Sequence, residues 1–186
     1  MRPVPAFVLA ACLAGCSVPG PREPDRFFIL EAQAAAAPRA GGPVAVEPTS
    51  SASFYDTQDI AFSRAPGVRA YYQFNHWTER PARSVHAQLE SRLGGTGKAG
   101  TVLVTHLEEI YHDAAEEPGA ARITVSARLE DAASRAVLAR RSFTRSAPAA
   151  SYDAQGAVRG FNQALAALVG DIEAWVDAET AKKPRP

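Results

Sequence analysis

The last stretch of the chain constrains the fold most. Val158, Phe161, Leu165, Leu168, Ile172, Trp175 and Val176 recur at helical spacing over about five turns, so one broad apolar stripe must be covered by something else in the molecule. Asp153 stands where an N-cap belongs. Gly156, Gly160 and Gly170 interrupt this helix, each at a cost of up to about 1 kcal/mol relative to alanine. Close packing of the helix on a sheet would account for all three. Arg159, Asp171 and Glu173 rule out a membrane-spanning reading, which needs about 20 apolar residues in a row.

A surface to cover that stripe is written just upstream. Residues 122–130 alternate, with Ile123, Val125, Ala127 and Leu129 on one face and polar groups on the other. A period of two means a sheet with one covered and one wet face. Asp131 to Arg135 reads as a turn and residues 136–144 as the returning strand, while residues 101–111, opening on Val102-Leu103-Val104, supply a third strand. Earlier, residues 26–31 and 44–47 read as short strands. Residues 59–64 and 68–77 then read as a hairpin about Ala65-Pro66-Gly67. Pro81 starts a helix whose stripe is Val85, Leu89 and Leu93, with Thr78 or Glu79 as its cap and Gly94-Gly95 as its stop. The order β-β-β-β-α-β-β-β-α predicts an α+β domain: a mostly antiparallel sheet with two helices packed on one face.

With 186 residues the chain suits one domain, taken here as 26–180 with a solvated tail at 181–186. Twenty basic residues balance twenty acidic ones, and no basic stripe stands out, so nucleic-acid binding is disfavoured. The two cysteines are Cys12 and Cys16, so the folded body has no disulfide and no thiolate site.

Those cysteines sit in a segment that reads as an address. Arg2 is followed by an apolar run from Pro3 to Ala14, too short to cross a bilayer, and the run ends in Leu13-Ala14-Gly15-Cys16. This resembles the lipobox of bacterial lipoproteins. The resemblance implies that residues 1–15 are a removed signal peptide and that Cys16 carries N-acyl and diacylglycerol lipid. No cofactor beyond that covalent lipid is expected. Each buried CH₂ contributes about 0.8 kcal/mol, so several acyl chains make a stable anchor. Ser17, in place of the aspartate that retains lipoproteins at the inner membrane, points to the periplasmic face of the outer membrane. Residues 17–25, rich in proline and glycine, form a tether with a reach of about 25–30 Å.

The body resembles the ABC-type transport auxiliary lipoproteins, a family that includes the lipoprotein partner of the paraquat-inducible Mce transport system. Several strings carry the resemblance in order: Phe28-Ile29-Leu30, Val44-Ala45-Val46-Glu47-Pro48, then Tyr71-Tyr72 followed by Trp77, Glu79 and Pro81, and a final helix closing on Ile172 to Trp175. The resemblance implies a subunit that is not an enzyme. Its partners would be an Mce-domain protein and an inner-membrane permease and ATPase of a system moving phospholipid or another hydrophobic molecule. A homo-oligomer around a conduit would suit that role.

Candidate contact residues are Tyr71, Tyr72, Trp77 and Glu79. Aromatics anchor protein interfaces; equally, Trp77 can pack over the first helix while Glu79 caps it. His106 and His112 flank acidic residues, but no zinc spacing is present, and on one strand they would lie about 20 Å apart. No G-x-S-x-G, H-E-x-x-H or P-loop string occurs. Two other readings compete. One is a stand-alone lipid- or small-molecule-binding module whose pocket is lined by Phe27, Phe28 and Phe74, and the other is a structural envelope lipoprotein.

Overall fold

A computed structural model describes residues 23–32, 44–94 and 100–182. The expected signal peptide, Cys16 and most of the expected tether therefore lie outside the described residues, as do most of the alanine-rich loop and residues 183–186. Strands β1 (Arg26–Phe28), β2 (Ala45–Val46), β3 (Ser50–Ser51), β4 (Asp59–Ser63) and β5 (Ala70–Trp77) precede helix α1 (Pro81–Leu93). Strands β6 (Thr101–Asp113), β7 (Ala120–Asp131) and β8 (Val137–Pro148) then lead into α2 (Ala154–Lys182).

The sheet runs β1-β5-β4-β6-β7-β8. Its long pairings, β4–β5, β6–β7 and β7–β8, are antiparallel, as the alternation predicts. The other edge of β6 is filled differently: β2, β3 and β4 pair with it in parallel, one after another. Strand β1 also pairs in parallel, with β5. Strand β3 is an addition to the predicted order. Its two serines carry no hydrophobic pattern, and the segment is held by Ala52 N–H on the Leu107 carbonyl and by Ser50 Oγ against His106 Nδ1.

Both helices cover one face of the sheet: α1 packs on β2, β6 and α2, and α2 packs on β7 and β8. The stripe of α2 is buried throughout, against Leu103, Leu107, Ile123, Val125, Leu129 and Phe143 of the strands. Each such side chain contributes about 1.5–3 kcal/mol on burial. Asp153 caps α2 as expected, its Oδ1 accepting from the Gly156 amide at 2.6 Å. That bond is the first cause of a lowered Asp153 pKa. Close packing on the sheet explains Gly160, where an added Cβ would run into the Pro148 carbonyl, whereas at Gly156 it would run into Ser151 of the turn before the helix. Close packing does not explain Gly170, which has open space around it. An ion pair between Arg92 and Glu173 joins the two helices, and Arg145 on β8 meets Asp171 at 2.5 Å. Among the described residues, no helix is long and apolar enough to cross a membrane.

The start of α1 departs from expectation. Arg80 is the N-cap residue, no side chain caps it, and Pro81 occupies the first turn. Glu79 instead lies exposed, 3.9 Å from Arg83 one turn along.

Candidate interaction site

The four candidate contact residues part company in the structure. Trp77 is only 1 % exposed and stands edge-on to Phe161 of α2, with ring centroids 5.4 Å apart. It is a core residue, not a surface anchor, and this corrects its reading as a partner contact. Tyr71 and Trp77 are six positions apart, so strict alternation would turn them the same way. The register shift against β4 breaks the alternation. Asp59 pairs with His76 and Ala61 with Tyr71, so three more residues fit on β5 than on β4. Trp77 is thereby turned inward and Tyr71 outward.

Tyr71 is 38 % exposed. Its ring stacks on Phe54 at 4.5 Å and 14°, and its hydroxyl donates to the Phe54 carbonyl at 2.6 Å. Desolvation, then the charge of Asp59, raises its pKa. Phe54 and Tyr71 thus form a pre-ordered aromatic platform at the surface, with the exposed Glu79 at the far end of the strand. Tyr72 is half-buried, and burial pushes its hydroxyl up to about 12. Its O–H lies 2.7 Å from Nδ1 of the fully buried His112, whose Nε2 lies 3.0 Å from the Pro118 carbonyl. A carbonyl can only accept, so Nε2 carries the proton and Nδ1 accepts from Tyr72. Burial lowers the His112 pKa, opposed by the Pro118 bond and by Asp113 and Asp153. Tyr72 and His112 therefore form an internal hydrogen-bonded pair between β5 and β6.

One organising residue has no sequence signature. Arg69 donates Nε to the Tyr55 hydroxyl at 3.1 Å and Nη2 to Glu109 at 3.2 Å, and its guanidinium lies 3.7 Å over the Tyr111 ring. It ties the short 3₁₀ turn Ser53–Tyr55, beneath the Tyr71 platform, to β6. Asn162, half-buried on α2, accepts at its Oδ1 from the Glu31 amide at 3.1 Å.

Phe27, Phe28 and Phe74 do not converge on a lipid pocket. Phe27 is 61 % exposed and borders a polar depression of about 450 Å³ with Asp25, Asp59 and His76. Phe28 packs against the core and Phe74 is half-buried in β5. A more apolar recess, of about 260 Å³, lies between β8 and the end of α2 beside Leu129 and Leu138. A broader one, of about 540 Å³, opens on the helix-free face of β6, β7 and β8. Among the described residues, no three metal-ligating side chains cluster.

A solved Xanthomonas campestris protein shares this fold with a TM-score of 0.74 at 20 % identity, over 84 % of this chain and 98 % of its own. A second solved structure, of an uncharacterized protein, gives 0.65 at 13 % identity, over 83 % and 99 %. No curated protein matches the chain. The model of the ABC-type transport auxiliary lipoprotein component matches residues 28–173, from β1 to the buried Glu173 of α2. That span takes in β2 to β8, α1 and the first two thirds of α2, and a family of transport accessory lipoproteins is not an enzyme family. The chain belongs to the ABC-type transport auxiliary lipoprotein component family.

Proposed function

We propose that this chain is the lipid-anchored accessory subunit of an Mce-type transport system that moves phospholipid or another hydrophobic molecule across the envelope. Cys16 bears the acyl chains, the tether holds the domain at the periplasmic face of the outer membrane, and the domain works by contact with an Mce-domain protein and the inner-membrane permease and ATPase. The family match over residues 28–173 supports this reading. The packing favours it over a stand-alone lipid carrier. Helix α2 fills the covered face of the sheet, and the three candidate phenylalanines are dispersed. Tyr71 and Glu79 are the two candidate contact residues left at the surface, and they are the proposed points of engagement. An exposed aromatic already fixed by stacking and a hydrogen bond loses little freedom on binding, which suits an interface anchor.

The test is affinity capture of the full-length chain from membranes dissolved in mild detergent. Enrichment of a permease, an ATPase and an Mce-domain protein is the expected result. Capture of the chain alone with stoichiometric phospholipid would refute it in favour of a lipid carrier. Recovery of cell-wall material instead would favour a structural lipoprotein.

A further inference from the structure

The open face of the sheet carries a charge arrangement that the accessory role does not use. Arg128 on β7 and Arg140 on β8 are direct cross-strand partners. Like charges placed opposite one another on a sheet destabilise it by a few tenths of a kcal/mol or more. Arg128 gives only its Nε to Glu130, and its terminal amino groups make no hydrogen bond among the described residues. Arg140 makes no hydrogen bond or ion pair there at all, and its charge is felt only as one of several that lower the Glu130 pKa. The next pair on the same face is Ser126 with Ser142, and His106 on β6 pairs with Ser126. These residues, with Arg141 at the rim, line the 540 Å³ recess of the open face. Its acidic neighbours are Glu130, already engaged by Arg128 and Arg135, and Glu108, which accepts from Ser126 at 2.7 Å. Glu108, on β6, closes that side of β7 against an anion and leaves the β8 side, with Arg140 and Ser142, open.

We propose that Arg128, Arg140 and Ser142 form a binding site for a phosphate-type oxyanion on the helix-free face of the sheet. Two guanidinium groups on directly opposite positions of adjacent strands offer N–H donors for the oxygens of one tetrahedral anion, and the Ser142 hydroxyl adds a third donor. A bound anion would also relieve the repulsion between the two arginines. A free phosphate and the phosphodiester of a lipid headgroup present the same oxygens. The site stands on the geometry of β7 and β8 alone and does not depend on the transport reading.

The full chain in neutral detergent micelles, followed by the ¹⁵N resonances of its arginine Nε groups, would be titrated with inorganic phosphate. A separate titration would use phosphatidylglycerol mixed into the micelles. Saturable shifts at Arg128 and Arg140 are expected. Arg140→Gln should weaken binding about tenfold, the loss of one charge-assisted hydrogen bond. Arg145→Gln removes the same charge from the same strand on its other face, against Asp171, and should leave binding unchanged. Saturation by phosphate identifies a free anion as a sufficient ligand. Saturation by phosphatidylglycerol alone identifies a lipid headgroup. Equal loss in the two variants would mean unspecific attraction, and no saturable shift with either probe would mean no site; both overturn the proposal.

Discussion

Two glycines on one helix should respond in opposite ways to the same substitution. Gly160 and Gly170 both lie within α2, so alanine at either gains about 1 kcal/mol of helix propensity. At Gly170 nothing stands within 4 Å of the new methyl group. Gly170→Ala should therefore keep that gain and stabilise the domain by about 0.5–1 kcal/mol. At Gly160 the methyl group would sit 2.9 Å from the Pro148 carbonyl oxygen, 3.0 Å from Ala121 Cβ and 3.1 Å from the Ala147 carbonyl oxygen. Two of these are backbone atoms at the end of β8, so the helix must lift from the sheet. Overpacking of this kind costs about 1–3 kcal/mol. The net separation between the variants is then about 2 kcal/mol, or about 4–8 °C in Tm for a domain of this size. Thermal and denaturant melts of the two full-length variants beside the parent measure it. Equal shifts in the two would refute the claim that α2 touches the sheet backbone at Gly160 and not at Gly170.

Other consequences are as direct. His112 is held neutral, so its contribution to stability is intact above its ordinary pKa of 6.5. That contribution is lost as pH falls from there through the lowered folded value. Denaturant melts across this window should show the loss, and His112→Gln should flatten it; an unchanged slope would contradict the buried neutral assignment. Asp153 and Glu130, with lowered pKa values, act in a separate window: their stabilisation holds above about 4 and fades below it. Glu173→Gln should cost about 3 kcal/mol in a denaturant melt by leaving Arg92 unpaired between the helices, and a loss under 1 kcal/mol would show the pair to be inert. Trp77→Ala should cost about 3–5 kcal/mol of stability. Tyr71→Ala should cost about 1 kcal/mol and act chiefly on partner capture, and melts read beside affinity capture separate the two.

What the sequence disclosed follows from the range of the forces involved. The stripe of α2 and the alternation of β7 are local patterns, each repeated over many residues, and both appear where they were expected. The parallel docking of β1, β2 and β3 is not local. Their two or three residues hold no period, and their positions are set by β5 and β6, dozens of residues away. Trp77 was open to two readings because alternation alone cannot register the extra residues in β5 that turn it inward. Glu79 sat one residue short of a capping role, since Arg80 and Pro81 begin the helix without a side-chain cap. Arg69 has no signal because its partners come from two stretches of chain distant from it, Tyr55 from the 3₁₀ turn and Glu109 and Tyr111 from β6. The Arg128–Arg140 pair was invisible in a balanced composition and exists only through the β7–β8 register.

Whether the domain works lipid-anchored from a membrane surface is read by intact mass analysis of the chain purified from membranes. A mature chain beginning at Cys16 and carrying three acyl chains is the expected mass. Cys16→Ser should release the protein into the soluble fraction with its fold unchanged. An unmodified Cys16 in a protein that fractionates as soluble before and after that substitution would contradict the lipid anchor.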